Sequence, residues 1–348
     1  MATSNSNFPG IGPLLSRAAL PLAPLYWAAS RLHGKWLGTG REASFTPSIP
    51  LVVVGALRAG GSGKTSVTQE LARQARARGL RVAILAYRLG TGGGGPAASD
   101  PVMEVEEDAD WRLGSEEALL LRRGTGARVF VTRNRWLAWR RLHDADIHRG
   151  EPFDLILSDD GFQDPRLEGA LRILLQAPGE DPGVWDLLPA GRFRETRRGR
   201  ERADLILEGP VAVASGQPFA AENGDIWAGE KYRFFRRMTL PPGIAADTPW
   251  VAVCGLGDNR RFLAELRAAG VVLSAVLGTR DHGVIRFSRL DTCARRFPGA
   301  MFLCTRKDFL KLTPTALTRF RFQVVEQTLV VDPRVHTLIE NYRTNFPA

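Results

Sequence analysis

The sequence predicts an α/β protein with a doubly wound parallel sheet and a second, smaller α/β lobe. Short apolar runs of strand length alternate with segments of helical periodicity through residues 51–208. A glycine-rich turn joins the first of these strands to the first helix, and a second strand–helix–strand unit begins at Trp250. Strands that alternate with helices in this way predict a parallel sheet.

The first lobe opens with a short apolar, β-branched run at residues 51–55, which predicts a buried strand. Residues 64–79 follow with Val67, Leu71 and Ala75 at helical spacing, and residues 80–86 form the next apolar strand. The remaining predicted elements are the helices 115–123 and 134–148 and the strands 127–131, 153–158, 171–176 and 204–208.

The second lobe begins after a change of pattern. Residues 224–238 mix aromatic and charged side chains and predict a β-ribbon that links the lobes. The predicted elements beyond it are the strand 251–255, the helix 259–269 and the strands 271–277 and 301–304. We therefore expect an N-terminal segment at 1–40, a nucleotide-binding domain at 41–208 and a second lobe at 209–348.

Composition and charge limit the function classes. A chain of 348 residues with 44% hydrophobic residues is expected to fold into two domains. Its net charge of +10 favours an anionic partner such as a nucleotide, an anionic lipid or a phosphorylated substrate, although an ordinary solvated basic surface gives the same number. Three separated cysteines, Cys254, Cys293 and Cys304, fit a reducing compartment and argue against a disulfide framework or a zinc site. No nucleic-acid-binding module is recognisable, so no nucleic acid partner is expected.

An apolar stretch near the N-terminus is the only candidate membrane segment. Residues 18–30 are uncharged and rich in Leu, Ala and aromatics, but this run is shorter than the ~20 residues that span a bilayer. Pro21 and Pro24 interrupt it, and basic residues flank it. The stretch predicts either an interfacial segment that lies on a membrane surface or a helix packed on the protein's own core.

The glycine-rich turn has the composition of a phosphate-binding loop. Its glycines let the backbone curl with N–H groups directed inward, and the helix that starts at Lys64 adds a partial positive charge. Lys64 would reach the β and γ phosphates of ATP, and the Thr65 hydroxyl would ligate Mg²⁺. This predicts a P-loop NTPase-like domain that uses ATP and Mg²⁺; the alternative is a flexible glycine turn. The loop comprises Arg58, Ala59, Gly60, Gly61, Ser62, Gly63, Lys64 and Thr65.

Asp159 and Asp160 follow an apolar strand about a hundred residues later. The carboxyl edge of a parallel sheet faces the ligand crevice, so these carboxylates are candidate Mg²⁺ ligands, directly or through water. The alternative is that the Asp-Asp-Gly sequence only caps a helix or forms a turn.

Basic residues and one histidine are further candidates for the site. Arg194 and Arg135 belong to two basic clusters, and an arginine near the γ phosphate would stabilise the transferring charge. His282 lies in a loop of the second lobe and is a candidate base at an acceptor hydroxyl. For any one of these residues the alternative is an ordinary surface side chain.

Several motifs together resemble one family, the tetraacyldisaccharide 4'-kinases, which are the lipid A kinases of Gram-negative bacteria. The glycine-rich loop and Gly255–Phe262 are similar to the two glycine turns of that family. The motifs that carry the resemblance are Asp-Asp-Gly-Phe-Gln at 159–163, Leu-Pro-Ala-Gly at 188–191 with Arg-Glu at 194–195, Asp-His at 281–282 and Thr-Arg-Lys-Asp at 305–308.

The resemblance implies a kinase that uses ATP and Mg²⁺ to phosphorylate the 4' hydroxyl of a tetraacylated glucosamine disaccharide 1-phosphate, the lipid A precursor. It implies a peripheral or monotopic attachment to the cytoplasmic face of the bacterial inner membrane, and we expect a monomer. Asp159, Asp160 and Arg194 would act at the phosphates, and His282 would act at the acceptor.

The chain departs from the family pattern on the acceptor side. Ser115 stands where the family has the Asp thought to act with the His, and Asp164 stands where the family has a His. Glu116 or Glu117 is a candidate replacement for the missing carboxylate. These departures leave open a second hypothesis, a catalytically impaired nucleotide-binding relative with a sensing or scaffolding role. A partitioning-type ATPase is a third, but its signature Lys is replaced by Ala59.

Overall fold

A computed structural model of the chain describes residues 19–39, 47–87, 102–109, 116–144, 147, 151–212, 231–244, 248–255, 259–279 and 285–347. The chain divides into two compact units. The first contains Met1–Val211, Trp227–Phe234 and Val331–Ala348, and the second contains Ala212–Ile226 and Phe235–Val330. The C-terminal residues from Val331 therefore belong to the first unit, whereas the sequence pattern placed them in the second.

The first unit is built on a mostly parallel sheet. Its strands lie in the order β7-β6-β1-β5-β2-β4-β3, and all neighbours are parallel except β3, which is antiparallel to β4. The strands are β1 (Leu51–Ala56), β2 (Val82–Tyr87), β3 (Val102–Glu104), β4 (Arg128–Thr132), β5 (Leu155–Asp159), β6 (Leu171–Gln176) and β7 (Leu205–Ala212).

Helices and two 3₁₀ turns make up the rest of the described part of the first unit. They are α1 (Leu22–Thr39), α2 (Lys64–Ala77), α3 (Glu116–Thr125), α4 (Arg135–Arg141), the 3₁₀ turns Val184–Asp186 and Arg197–Arg202, and, at the end of the chain, α9 (Pro333–Thr344). The central strands β1 and β5 are buried along their whole length, because helices cover both faces of a doubly wound sheet.

The second unit is a smaller α/β structure. Its parallel sheet has the order β10-β9-β11-β12. The chain passes between the units at four points: after Val211, after Ile226, within β8 after Phe234 and within β12 after Val330. The elements are β8 (Tyr232–Thr239), β9 (Trp250–Cys254), α5 (Asn259–Ala268), β10 (Leu273–Gly278), α6 (Phe287–Arg296), β11 (Met301–Thr305), α7 (Arg306–Phe309), α8 (Pro314–Arg319) and β12 (Arg321–Val331).

The N-terminal helix α1 packs one side on the first unit and exposes the other. Ala23 is fully buried in a cluster with Leu187 and Ala190, against which Tyr26 and Trp27 also pack. Pro21 interrupts this segment as expected, because the helix begins only after it at Leu22. The expectation that Pro24 also interrupts it is wrong: Pro24 lies in the first turn of the helix, where backbone N–H groups have no acceptor within the helix. Among the helices in the described ranges, none has the length and apolar character needed to cross a bilayer.

The C-terminal helix α9 is hydrogen-bonded to the first residue of β1 and to the residues just before β6. The Tyr342 hydroxyl lies 3.2 Å from the Leu51 carbonyl oxygen and 2.6 Å from the Gly169 carbonyl oxygen, and Val335 and Ile339 are buried. These contacts explain why the end of the chain belongs to the nucleotide-binding unit rather than to the second unit.

Buried His336 on α9 predicts a pH-dependent stability. Burial and, to a smaller extent, the charge of Arg78 lower its pKa to about 4, although Asp332 and Glu340 oppose the shift. Below pH 6.5 the unfolded chain takes up a proton that the folded chain refuses, so stability falls as the pH drops from 6.5 towards 4. Between pH 7 and pH 5 we expect a loss of about 2 kcal/mol in the free energy of unfolding.

Urea unfolding of the wild type and of His336→Phe at both pH values measures this contribution. The loss between pH 7 and pH 5 should be smaller in the variant by about the same 2 kcal/mol. Equal losses in the two proteins would show that His336 is not the titrating group.

Candidate active site

Three strand ends meet at one edge of the first sheet. Strand β1 pairs with β5 and with β6, and Val54 lies opposite Asp159 in the register. Because parallel strands end at the same edge, the loop after β1, the carboxylates at the end of β5 and the loop after β6 converge. The candidate site lies at this edge.

The loop after β1 adopts a backbone that only glycine takes readily. Gly60, Gly61 and Gly63 have φ angles of 71°, 65° and 84°. A Cβ on Gly60 or Gly61 would meet no atom within 4 Å, so conformation rather than crowding requires glycine there. Helix α2 starts directly afterwards at Lys64. A left-handed glycine turn that opens a helix presents backbone N–H groups to an anion, which is the arrangement of a phosphate-binding loop.

The start of this loop is hydrogen-bonded to the residues that follow the Leu-Pro-Ala-Gly segment. The Ala59 N–H donates to the Arg192 carbonyl oxygen at 2.8 Å, and the Arg194 N–H donates to the Leu57 carbonyl oxygen at 2.7 Å. Arg58 occupies the position where the strict pattern has glycine, and its guanidinium donates to Glu180 Oε1 at 3.0 Å. The side chain of Arg58 is therefore paired with a carboxylate, and its backbone belongs to the loop.

Asp159 lies beside the first turn of α2. The Thr65 hydroxyl donates to Asp159 Oδ2 at 2.8 Å, and the Thr68 hydroxyl lies 3.3 Å from Oδ1. Burial raises the pKa of Asp159 to about 6, an effect that the Thr65 hydrogen bond opposes and the charge of Asp160 reinforces. A buried carboxylate in contact with a hydroxyl gains from a bound cation, and hard oxygen ligands suit Mg²⁺. Thr65 and Asp159 are thus the residues that fit a magnesium ion.

Asp160 has a different set of partners. Its Oδ1 accepts a hydrogen bond from Arg194 at 2.8 Å and lies 3.6 Å from Lys64 Nζ. Burial alone would raise its pKa, but the charges of Lys64, Arg194 and Arg135 outweigh burial and hold the pKa below its ordinary value. Its φ of 57° is unusual for a residue with a side chain, and such strain persists only where the surroundings hold it. Asp160 therefore positions two cations beside the phosphate loop.

Arg135 is buried beneath these carboxylates. Its guanidinium donates to the Asp159 carbonyl oxygen at 2.9 Å and lies over the Tyr87 ring, 5.2 Å from the centroid. Burial lowers its pKa, and the neighbouring carboxylates oppose that shift. Its contacts fix the backbone of Asp159 and keep a positive charge under the site.

The acceptor-side candidates are only partly described. His282 and Ser115 lie outside the described residues. Glu116 is buried in the first turn of α3. The charge of Glu117 helps to raise the pKa of Asp159, so it acts on that carboxylate across the site. Asp164 accepts hydrogen bonds from Arg166 at 2.9 and 2.8 Å and so belongs to the turn after β5.

The structure adds two site residues that the sequence did not single out. Thr68 lies one helical turn after Thr65 and faces the same carboxylate. Residues three apart share one face of a helix, so the sequence contained the signal for this residue. The Gln163 amide donates to the Ala56 carbonyl oxygen at 2.9 Å, and its Oε1 lies 3.4 Å from Arg194. Gln163 thereby connects the Asp-Asp-Gly turn to the end of β1.

Comparison with known proteins assigns the family. A family model described as tetraacyldisaccharide-1-P 4'-kinase matches residues 15–343. The chain is 32% identical over 311 residues to the tetraacyldisaccharide 4'-kinase of Polaromonas sp. (strain JS666), with 86% of this chain and 83% of that protein covered. It is 32% identical over 320 residues to the tetraacyldisaccharide 4'-kinase of Gluconacetobacter diazotrophicus, with 90% and 89% covered.

A solved structure supports the fold. The chain is similar to LpxK from Aquifex aeolicus, crystallised in complex with ATP, with a TM-score of 0.66 and 22% identity over 94% of this chain and 99% of that one. The family match spans the phosphate loop, the two aspartates and Arg194. This chain belongs to the tetraacyldisaccharide-1-P 4'-kinase family, the ATP-dependent phosphotransferases of lipid A biosynthesis.

Proposed function

We propose that this chain transfers the terminal phosphate of ATP to the 4' hydroxyl of a tetraacylated glucosamine disaccharide 1-phosphate. The observation that carries the proposal is the convergence of Lys64, Asp159, Asp160 and Arg194 beside the glycine loop, in a chain of this family. The Aquifex aeolicus relative was crystallised with ATP, which supports the choice of nucleotide.

Each residue of the site has a physical role in this reaction. Lys64 holds the β and γ phosphates, and Arg194 stabilises the negative charge that develops during transfer. Thr65 and Asp159 hold Mg²⁺, which when bound neutralises charge on the phosphate oxygens. Asp160 keeps Lys64 and Arg194 in place, since it contacts both. Phosphoryl transfer depends mainly on such positioning and charge stabilisation.

The acceptor hydroxyl requires a separate group. We assign this task to His282, with Glu116 or Glu117 in place of the carboxylate that Ser115 lacks. A positioned base contributes about 10²–10⁴ in rate, so its partial loss slows transfer without abolishing it.

The acceptor also explains the exposed side of α1. Leu22, Leu25 and Leu32 lie along one face of the helix and are 49%, 65% and 68% exposed. Apolar side chains on a helix of a strongly basic protein fit the surface of an anionic membrane. We propose that the chain acts as a monomer on the cytoplasmic face of the inner membrane and draws its acylated acceptor from there.

The test is a transfer assay with purified protein, ATP, Mg²⁺ and the disaccharide 1-phosphate in detergent. The Polaromonas relative serves as the positive control. We expect transfer to the 4' position, and we expect Ser115→Asp to increase kcat by about tenfold or more. If this chain binds ATP but transfers nothing while the relative does, the proposal fails and a nucleotide-binding relative without kinase activity replaces it.

A further inference from the structure

The inner side of α1 packs on the turn that leads to Arg194. Ala23, Leu187 and Ala190 form the buried centre of this contact, and Tyr26 and Phe193 pack around it. Phe193 also packs against the main core of the first unit, so it belongs to both clusters. Phe193 directly precedes Arg194 in the sequence. The cluster that α1 covers therefore includes the residue directly before the arginine that contacts Asp160.

The turn beneath α1 is a closed unit of backbone hydrogen bonds. The Phe193 N–H donates to the Asp186 carbonyl oxygen at 3.0 Å, and the Leu188 N–H donates to the Phe193 carbonyl oxygen at 2.9 Å. Gly191 is confined within it, since a Cβ there would lie 1.8 Å from the Asp186 carbonyl oxygen. A turn with so little freedom transmits a displacement of its packed face to its end. Its end is Arg194, whose N–H donates to the carbonyl oxygen of Leu57, the residue between β1 and the phosphate loop.

Tyr26 is an α1 side chain on which charges of the site act. It packs in the cluster with Phe193, and its hydroxyl lies within electrostatic reach of Arg194 and Glu195. Glu195 in turn accepts two hydrogen bonds from Arg202, at 2.8 and 2.7 Å, so its charge is held in place. Tyr26 therefore packs against the same cluster as Phe193, and the charge of Arg194 acts on its hydroxyl.

We infer that Tyr26 is a positioning residue for Arg194, so that the helix proposed to lie on the membrane also supports the arginine that stabilises the transferring phosphate. The inference deepens the proposed kinase function and rests on it for the reaction step. In this inference both sides of α1 make contacts. The exposed leucines meet lipid, and Tyr26 and Ala23 pack on the Leu-Pro-Ala-Gly turn. Loss of the inner contact would loosen Arg194 while the phosphate loop and Asp159 remain intact.

A double-mutant cycle tests the coupling. We compare the wild type, Tyr26→Ala, Arg194→Lys and the double variant for kcat and for the dissociation constant of ATP with Mg²⁺. Tyr26→Ala is expected to lower kcat by about tenfold in the wild-type background and to have little further effect in the Arg194→Lys background. Equal effects in both backgrounds would show that Tyr26 only stabilises the fold, and would overturn the inference.

Two further variants keep the test interpretable. Ala28→Ser, on the exposed side of α1, is expected to match the wild type in kcat and in ATP affinity. Tyr26→Leu keeps an apolar side chain in the cluster and allows the cycle to be repeated if Tyr26→Ala does not fold. If the wild type transfers no phosphate at all, the proposed function fails, and the inference about the reaction step fails with it. Additive effects on kcat in a wild type that does transfer phosphate reject the inference alone.

Discussion

Lys64→Met is expected to lower kcat/KM for ATP by about 10²–10³, the cost of removing one preorganised charge that stabilises a transition state. In the folded chain Lys64 is nearly buried, and its ammonium lies 3.2 Å from Ser62 Oγ and 3.6 Å from Asp160 Oδ1. This places the charge between the glycine loop and the carboxylate that also holds Arg194. Met has similar length and no charge, so the variant removes the interaction with little change in volume. The measurement is initial-rate kinetics at varied ATP, together with ATP binding.

Lys64→Arg is the matched control. It restores the charge on a planar group that is not interchangeable with an ammonium, so we expect partial recovery of ATP binding and less recovery of kcat. A Lys64→Met variant with wild-type kcat/KM would contradict the assignment of the phosphate loop. It would also separate ATP binding from the glycine turn that the sequence and the structure both place there.

The sequence was most informative where one strand or helix carries its own pattern. The buried runs at β1 and β6 and the periodicity of α2 were predictable because burial on both faces, or on one stripe, leaves a direct trace in residue type. The predicted helix 134–148 was too long. Helix α4 ends at Arg141, and His143 then accepts hydrogen bonds from the Ser48 and Ile49 N–H groups, a tertiary contact that no local pattern records.

The sequence predictions omit one helix that has a clear local signal and two strands whose local signal is weak or absent. Helix α9 begins with Pro333 after Asp332, whose side chain accepts from the Arg334 N–H, which is a typical helix start. Strand β12 mixes charged and apolar residues because it is only partly buried, so its pattern is weak. Strand β3 has three residues, which is too few for a periodicity to appear.

The sequence does not predict which partners each of the two aspartates contacts. Asp159 ends β5 and Asp160 follows it, and the motif allows either carboxylate as a metal ligand. Only the fold shows that Asp159 faces Thr65 whereas Asp160 faces Lys64 and Arg194, since the partner residues lie 94 and 34 positions away along the chain. The same holds for Glu117, whose influence on Asp159 depends on how α3 packs.

Asp159→Asn is expected to lower kcat by about 10²–10³, because it removes the carboxylate that we propose as a Mg²⁺ ligand beside the Thr65 hydroxyl. The Mg²⁺ concentration needed for half-maximal rate should rise, whereas ATP binding in EDTA should be kept, since Asn carries no charge to repel the phosphates. Asp160→Asn is the matched control. It leaves the Thr65–Asp159 contact intact and should alter ATP affinity rather than the Mg²⁺ dependence.

The same substitution is expected to stabilise the protein in the absence of ligands. Burial raises the folded-state pKa of Asp159 to about 6 from 3.8, so the folded chain binds the proton more tightly than the unfolded chain does. A raised carboxyl pKa means that stability falls as the pH rises from 3.8 to 6, and above pH 6 the ionised group costs up to about 3 kcal/mol. Asn avoids that cost, so at pH 8 without Mg²⁺ the variant should unfold at higher urea concentration than the wild type. A lower unfolding midpoint for Asp159→Asn would show that the buried charge is compensated within the fold. A buried charge that destabilises the fold is typical of binding and catalytic sites. If the Asp159 charge stabilises the fold instead, its role is structural and it is not needed as a metal ligand.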